Sequence, residues 1–203
     1  MALKGKNPDT LDRLAEILSS IFHPFVIVIP TMIIATASQG NSIVQALFWT
    51  VLSICVVILP LTYVIYSRVR SGGYSDASVS IREQRHGLYG LAGFLFIVLI
   101  AILVIGKAPR VFVAGTLTGI LAMAVAFLIN RRYTKLSLHS MGISACAAIL
   151  LLTTPPLGML LALFIPLVGW ARIRLEHHTL PQVLIGFTVA ISSVVLIFHL
   201  FLD

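Results

Sequence analysis

Charge is what this sequence has least of: only 10% of its 203 residues are Asp, Glu, Lys or Arg, and just 7 of those are acidic. A soluble domain cannot clothe itself with so few ionic groups when 59% of the chain is hydrophobic and the mean hydropathy is +1.04; the soluble class is excluded. Cysteine is almost missing as well. Cys55 and Cys146 both fall inside apolar runs without metal-ligand spacing, so they read as small buried hydrophobes, and a structural disulfide is not expected. The period-2 alternation of a transmembrane barrel is absent. No polar connection is longer than residues 68–87, which leaves no room for a soluble domain between the apolar runs. The opening M-A-L-K-G-K-N-P-D-T has charge but no apolar core and no small-residue cleavage site, so no removable signal peptide is expected.

What is present is a series of apolar runs, each near the roughly 20 residues a helix needs to cross about 30 Å of hydrocarbon. We count seven, at about residues 20–38, 45–67, 88–106, 110–130, 137–153, 157–170 and 181–202. The expected class is an all-α, polytopic membrane helical bundle of about six to seven spans, forming a single transmembrane domain over 20–203. The sixth run is short, pinned by Pro155 and Pro156 and interrupted by Pro166, and it reads as a tilted or partly buried span. Ahead of the bundle, Asn7-Pro8-Asp9 is a helix-start signal. Leu11, Leu14, Leu18 and Ile21 then share one face, opposite Asp12, Arg13 and Glu16, so residues 1–19 predict an interfacial helix.

A formal net charge of +7 would point to nucleic acid in a soluble chain; in a membrane protein the basic residues mark cytoplasmic loops and anionic headgroups instead. With seven spans, every Lys and Arg except Lys107 and Arg110 falls on one side. That side is expected to be cytoplasmic and the C-terminus outside, in a multi-pass cell-membrane protein. Arg131, Arg132 and Lys135 read as snorkelling anchors, and Trp49, Trp170, Tyr63, Tyr66 and Tyr89 as interface-belt aromatics.

Scarce polar groups gather in three places on that side. Residues 76–86 read D-A-S-V-S-I-R-E-Q-R-H, residues 135–140 read K-L-S-L-H-S, and residues 170–186 read W-A-R-I-R-L-E-H-H-T-L-P-Q-V-L-I-G. Arginines suit an anion, and a hydroxyl with imidazoles suits proton and group transfer, so the three together predict a phosphate site. Histidines beside arginines at a membrane edge fit an anion better than a paired-imidazole iron site; no metal and no cofactor is expected.

These clusters resemble the type 2 phosphatidic acid phosphatase superfamily of membrane lipid phosphatases, whose motifs are K-x6-R-P, P-S-G-H and S-R-x5-H-x3-D. Arg172 and His178 keep the spacing of the third motif, with Ala171 at its serine and Gln182 at its aspartate. Ser137 and His139 match the second, without its proline and glycine. Arg85 matches the arginine of the first, with Ser78 at the lysine and His86 at the proline. The likeness covers roughly residues 76–190. It implies a lipid phosphate or diphosphate phosphatase, acting on isoprenoid or phosphatidate lipids through a phosphohistidine. His178 would be the nucleophile, His139 the general acid and Gln182 the residue that orients His178. Arg85, Ser137 and Arg172 would cradle the phosphate, with Arg82 in place of the missing lysine. The alternative is a catalytically weakened subunit or lipid-binding protein that keeps the fold. The partners implied are membrane lipids and a phosphorylated lipid substrate, with a homo-oligomer or a membrane complex as possible settings.

Overall fold

Several helices begin at a serine, proline or aspartate that breaks the apolar pattern: Asp9, Pro24, Ser42, Pro109, Ser137 and Pro155 stand at such starts. The computed structural model describes residues 9–77, 79 and 81–202. In chain order the helices are α1 Thr10–Ile21, α2 Pro24–Ser38, α3 Ile43–Ser53, α4 Leu59–Arg70, α5 Arg85–Ile105, α6 Arg110–Arg132, α7 Leu138–Thr153, α8 Pro155–Ala162, α9 Ile165–Arg174 and α10 Leu180–Leu202. Among the described residues there is no strand. The chain is an all-α bundle, as its composition requires.

Among the described residues, five helical stretches are long and apolar enough to cross a membrane: Ile43–Arg70, Arg85–Ile105, Arg110–Arg132, Pro155–Arg174 and Leu180–Phe201. A sixth arises if α1 and α2, bent by 47°, count as one span. The run expected at 137–153 is helical, but α7 has only 16 residues, about 24 Å at 1.5 Å each and short of the hydrocarbon core. Its place explains the length. Ten of its residues, among them Ile143, Cys146 and Ala147, are buried, and it packs against α2, α8, α9 and α10. Hydropathy cannot separate a helix wrapped in protein from one wrapped in lipid.

Proline acts here as a helix starter. Pro155 and Pro166 stand in the first turns of α8 and α9, where a missing N–H costs nothing, so the sixth run is a 20-residue span that breaks its helix only at Leu163 and Phe164. Gly158 lets α8 lie hard against α7, since a Cβ there would come within 2.3 Å of the Leu151 nitrogen. Pro60 has a different consequence. In the turn before it the Leu59 N–H reaches back to Ile54 O, and residues Ile54–Ile58 form a π turn between α3 and α4; proline's lost donor and ring clash are the usual reason for such a rearrangement.

The cap of α1 is Asp9: its side chain accepts from the Asp12 N–H while Asp12 accepts from the Asp9 N–H. Asn7 and Pro8, also expected to signal this start, lie outside the described residues. Of the residues set opposite the apolar row, Asp12 turns inward, whereas Arg13 and Glu16 are exposed. Asp12, Ala15 and Ser19 are buried against α9, while Leu11, Leu14, Ile17 and Ile21 are exposed. Arg174 fixes the contact, donating from Nε to Asp12 at 2.9 Å and from an Nη to Asp9 at 2.6 Å. An apolar row facing out beside a transmembrane bundle fits an interfacial helix. Arg174→Ala should loosen the docking of α1 onto α9, modestly, because the forked ion pair is solvent-screened. Faster amide hydrogen exchange confined to residues 10–21 is the expected readout; unchanged exchange would show that apolar packing alone holds α1.

All three polar clusters meet at one end of the bundle, as hydrogen bonds between them show: Arg85 reaches Leu136 O, the Ser137 N–H reaches Gln182 O, and Arg82 and Asn130 bond each other. The opposite end carries Lys107 and Arg110 and a dry core of Trp49, Leu103, Phe112 and Phe198. Trp49 lies under Gly106, where a Cβ would come within 2.5 Å of its ring. It and Tyr89 are buried, unlike Tyr63 and Tyr66, which keep the exposure of interface aromatics.

Candidate functional site

The last turn of α9 and the loop after it build the centre of the site. Glu176 takes a left-handed conformation, φ 56°, at a helix end where glycine or asparagine is usual. That residue turns the chain back so that the N–H groups of both His177 and His178 donate to Arg172 O at 3.2 Å. Arg172 and His178, six positions apart, are thereby brought together, and both are buried, at 2% and 6% exposure. Among the described residues the Arg172 Nε has no hydrogen-bond partner. A buried guanidinium with an unused donor is costly unless an anion completes it.

Gln182 fixes the chemistry of His178. Its Oε1 accepts from the Thr179 backbone N–H at 3.2 Å, and its Nε2 donates to Thr134 Oγ1 at 3.0 Å; the amide orientation is thus set by a backbone donor. The same Oε1 lies 3.2 Å from His178 Nδ1. An oxygen accepts only, so Nδ1 must carry the proton and Nε2 keeps its lone pair. Gln182 therefore orients His178 as an aspartate would, without placing a negative charge beside it.

The surrounding field is positive. Burial, then Arg85, Arg172 and Lys135, push the His178 imidazole down to about 3, and burial with Arg172 pushes His177 down to about 4. Both are neutral near pH 7. In an unfolded chain they would titrate at about 6.5, so between pH 6.5 and about 3 the unfolded state binds more protons and folded stability falls as pH falls. The thermal midpoint in detergent should therefore drop between pH 7 and pH 5, above the range where carboxylates titrate. A midpoint flat over that interval would mean that the two imidazoles are not buried neutral.

Arg85, at the start of α5, is 2% exposed and donates to Val79 O at 2.7 Å and Leu136 O at 2.9 Å. Val79 pays for this with φ 47°, a conformation β-branched residues avoid. Ser137 caps α7, accepting from the Ser140 N–H at 3.3 Å, and so places the positive end of that helix dipole beside Gln182. His139, in the first turn of α7, is 6% exposed, and its ring stands edge-on to that of His23 at 5.0 Å. Arg172, His177 and His178 lie within electrostatic reach of it. Arg82 precedes α5 in a turn rather than a helix and sends its Nε to Asn130 O at the end of α6. Ser78, the position matching the first motif's lysine, lies outside the described residues.

Three participants were not assigned to the site from sequence. Lys135, read as an anchor, is half-buried within reach of Arg85, Arg172 and His178, and burial and those arginines hold its ammonium below the usual lysine range. Asp76 sets a carboxylate within reach of Arg85, Lys135, Arg172 and His177. His23 caps α2, accepting from the Phe25 N–H at 3.3 Å through Nδ1. Its signal was the His-Pro pair, which marks a helix start but not which cluster that start will join.

The chain matches no described protein family, no curated protein and no solved structure. Fold and site together define its class as a multi-pass helical membrane protein with a buried cationic cluster of arginine, lysine and neutral histidine at one end of the bundle.

Proposed function

We propose that this chain is an integral-membrane lipid phosphate or diphosphate phosphatase that acts through a phosphohistidine at His178. The observation that carries the reading is the Gln182 network, which leaves His178 neutral with its Nε2 lone pair free amid Arg85, Arg172 and Lys135. Nε2 would attack phosphorus; the N–P bond forms as the bond to the lipid oxygen breaks, and His139 gives that oxygen its proton. Water then attacks the phosphohistidine, His139 takes a proton back, and inorganic phosphate leaves. Arg172 with its unpaired Nε, and Arg85, would neutralise the equatorial oxygens, with the α7 N-terminus adding to the field. The incoming phosphate supplies the negative charge that lets His139 hold a proton among cations.

By the positive-inside rule the site faces the cytoplasm in the cell membrane, with the C-terminus outside. A second reading, a lipid-binding or structural subunit without turnover, is favoured by two observations: the Ser137 hydroxyl is engaged as a helix cap and Arg82 is turned to Asn130. Phosphate release by detergent-purified protein from farnesyl monophosphate, farnesyl diphosphate and dioleoyl phosphatidate separates the two. Release that disappears in His178→Ala supports the enzyme; binding without release in either protein supports the subunit.

A further inference from the structure

Directly beneath the cationic cluster the bundle is hollow. A cavity of about 270 Å³ lies between α2, α3, α4, α5, α6, α7 and α10. Its polar end begins at Pro24 and Leu138, the chain neighbours of His23 and His139, whose rings meet at 5.0 Å. Its far end is closed by Phe112 and Ile149. From Leu138 to Ile149 along α7 is about 16 Å at 1.5 Å per residue.

The lining is apolar. Of the hydroxyls on its wall, those of Thr50 and Ser53 are satisfied by Ala46 O and Trp49 O of their own helix, and Thr118 Oγ1 is buried with no hydrogen-bond partner among the described residues. A polar ligand would find little to bind, and water would find too few partners to stay. Small residues keep the space open: a Cβ on Gly115 would come within 3.0 Å of Met32 Cε, and one on Gly119 within 3.1 Å of the Phe96 ring. In a membrane protein an apolar hollow whose lining begins one residue from His23 and His139, next to a cationic cluster, is matched by hydrocarbon attached to an anion.

The volume selects among such ligands. Sites for drug-sized molecules occupy roughly 300–1,000 Å³, so this cavity is at the lower limit and has room for one chain rather than two. We infer that the cavity seats the single hydrocarbon chain of a one-tailed lipid phosphate, such as a prenyl monophosphate, and excludes the paired chains of phosphatidate. This inference rests on reading the cationic cluster as a lipid phosphate site, and it makes Ala145 and Ile149 determinants of tail length.

The test is native mass spectrometry of the full chain released from detergent micelles, with isopentenyl, farnesyl and geranylgeranyl monophosphates and dioleoyl phosphatidate as ligands. Farnesyl monophosphate should bind at least about tenfold tighter than phosphatidate. Ala145→Phe, about 10 Å from Leu138, should weaken farnesyl monophosphate about tenfold and leave isopentenyl monophosphate unchanged. Ile149→Ala, at the closed end, should shift preference toward geranylgeranyl monophosphate, a gain that misfolding cannot produce. Equal binding of phosphatidate and farnesyl monophosphate, or chain-length preference unmoved by both substitutions, overturns the inference. Binding is read without turnover, so tail-selective binding with no phosphate release would sink the phosphatase and keep the tail site. Phosphate release with phosphatidate bound as tightly as the prenyl ligand would do the reverse.

Discussion

His178→Ala is expected to slow phosphate release from the preferred lipid phosphate by at least about 10³-fold, the scale on which removing a catalytic imidazole acts in other hydrolases. The size follows from the covalent step. Without Nε2 there is no phosphohistidine, and a single displacement by water must cross the whole barrier. Arg172 and Arg85 stay in place, so binding of a lipid phosphate should change little. Acid-quench trapping of a phosphorylated protein from labelled substrate is the direct check: an acid-labile phosphoprotein in the native chain and none in the variant. Release that survives undiminished in His178→Ala would remove His178 from the chemistry.

Gln182→Glu should change the pH profile more than the maximum rate. The native His178 is neutral down to about pH 3, so its protonation should not limit the rate anywhere near neutrality. A carboxylate 3.2 Å from Nδ1, where the amide oxygen now stands, would favour the imidazolium and raise the histidine's titration point. Only the neutral ring is nucleophilic, so the acid limb of the activity profile should move to higher pH. The carboxylate would also stabilise the charge that develops on His178 in the transition state, and the rate above that limb should rise. Gln182→Leu removes the acceptor altogether. It should lower the rate by about 10² or more, since in the serine-protease case a wrong tautomer costs about 10⁴. An acid limb that does not move in Gln182→Glu would mean that the residue is not bonded to the nucleophile.

How far the sequence anticipated this arrangement varies by residue. The helical class and the gathering of the three polar clusters followed from hydropathy and from the sidedness of Lys and Arg, because both are long-range averages that one residue cannot upset. The pairing of Arg172 with His178 was legible as spacing, although the turn that achieves it depends on Glu176 in a conformation no motif announces. Gln182 was legible from its motif position as the residue to orient His178, but the Thr179 and Thr134 hydrogen bonds that fix its amide have no linear signature. Lys135 could not be told from its neighbours Arg131 and Arg132, since basic residues at a span end look alike until burial separates them. Trp49 and Tyr89 looked like interface aromatics for the same reason, and are packed inside. The apolar cavity had no linear signature, because its wall is assembled from residues scattered over seven helices.

The shortness of α7 has a last consequence. Its 16 residues stand among spans of 20–28 residues, and within its first turns the chain passes from His139, in the cationic cluster, to Gly142, which lines the apolar cavity. The dielectric step that a bilayer spreads across its headgroups is here compressed to about one helical turn, between His139 and Gly142. A molecule lying across it would have its ionic and oily halves solvated by different phases without leaving the protein.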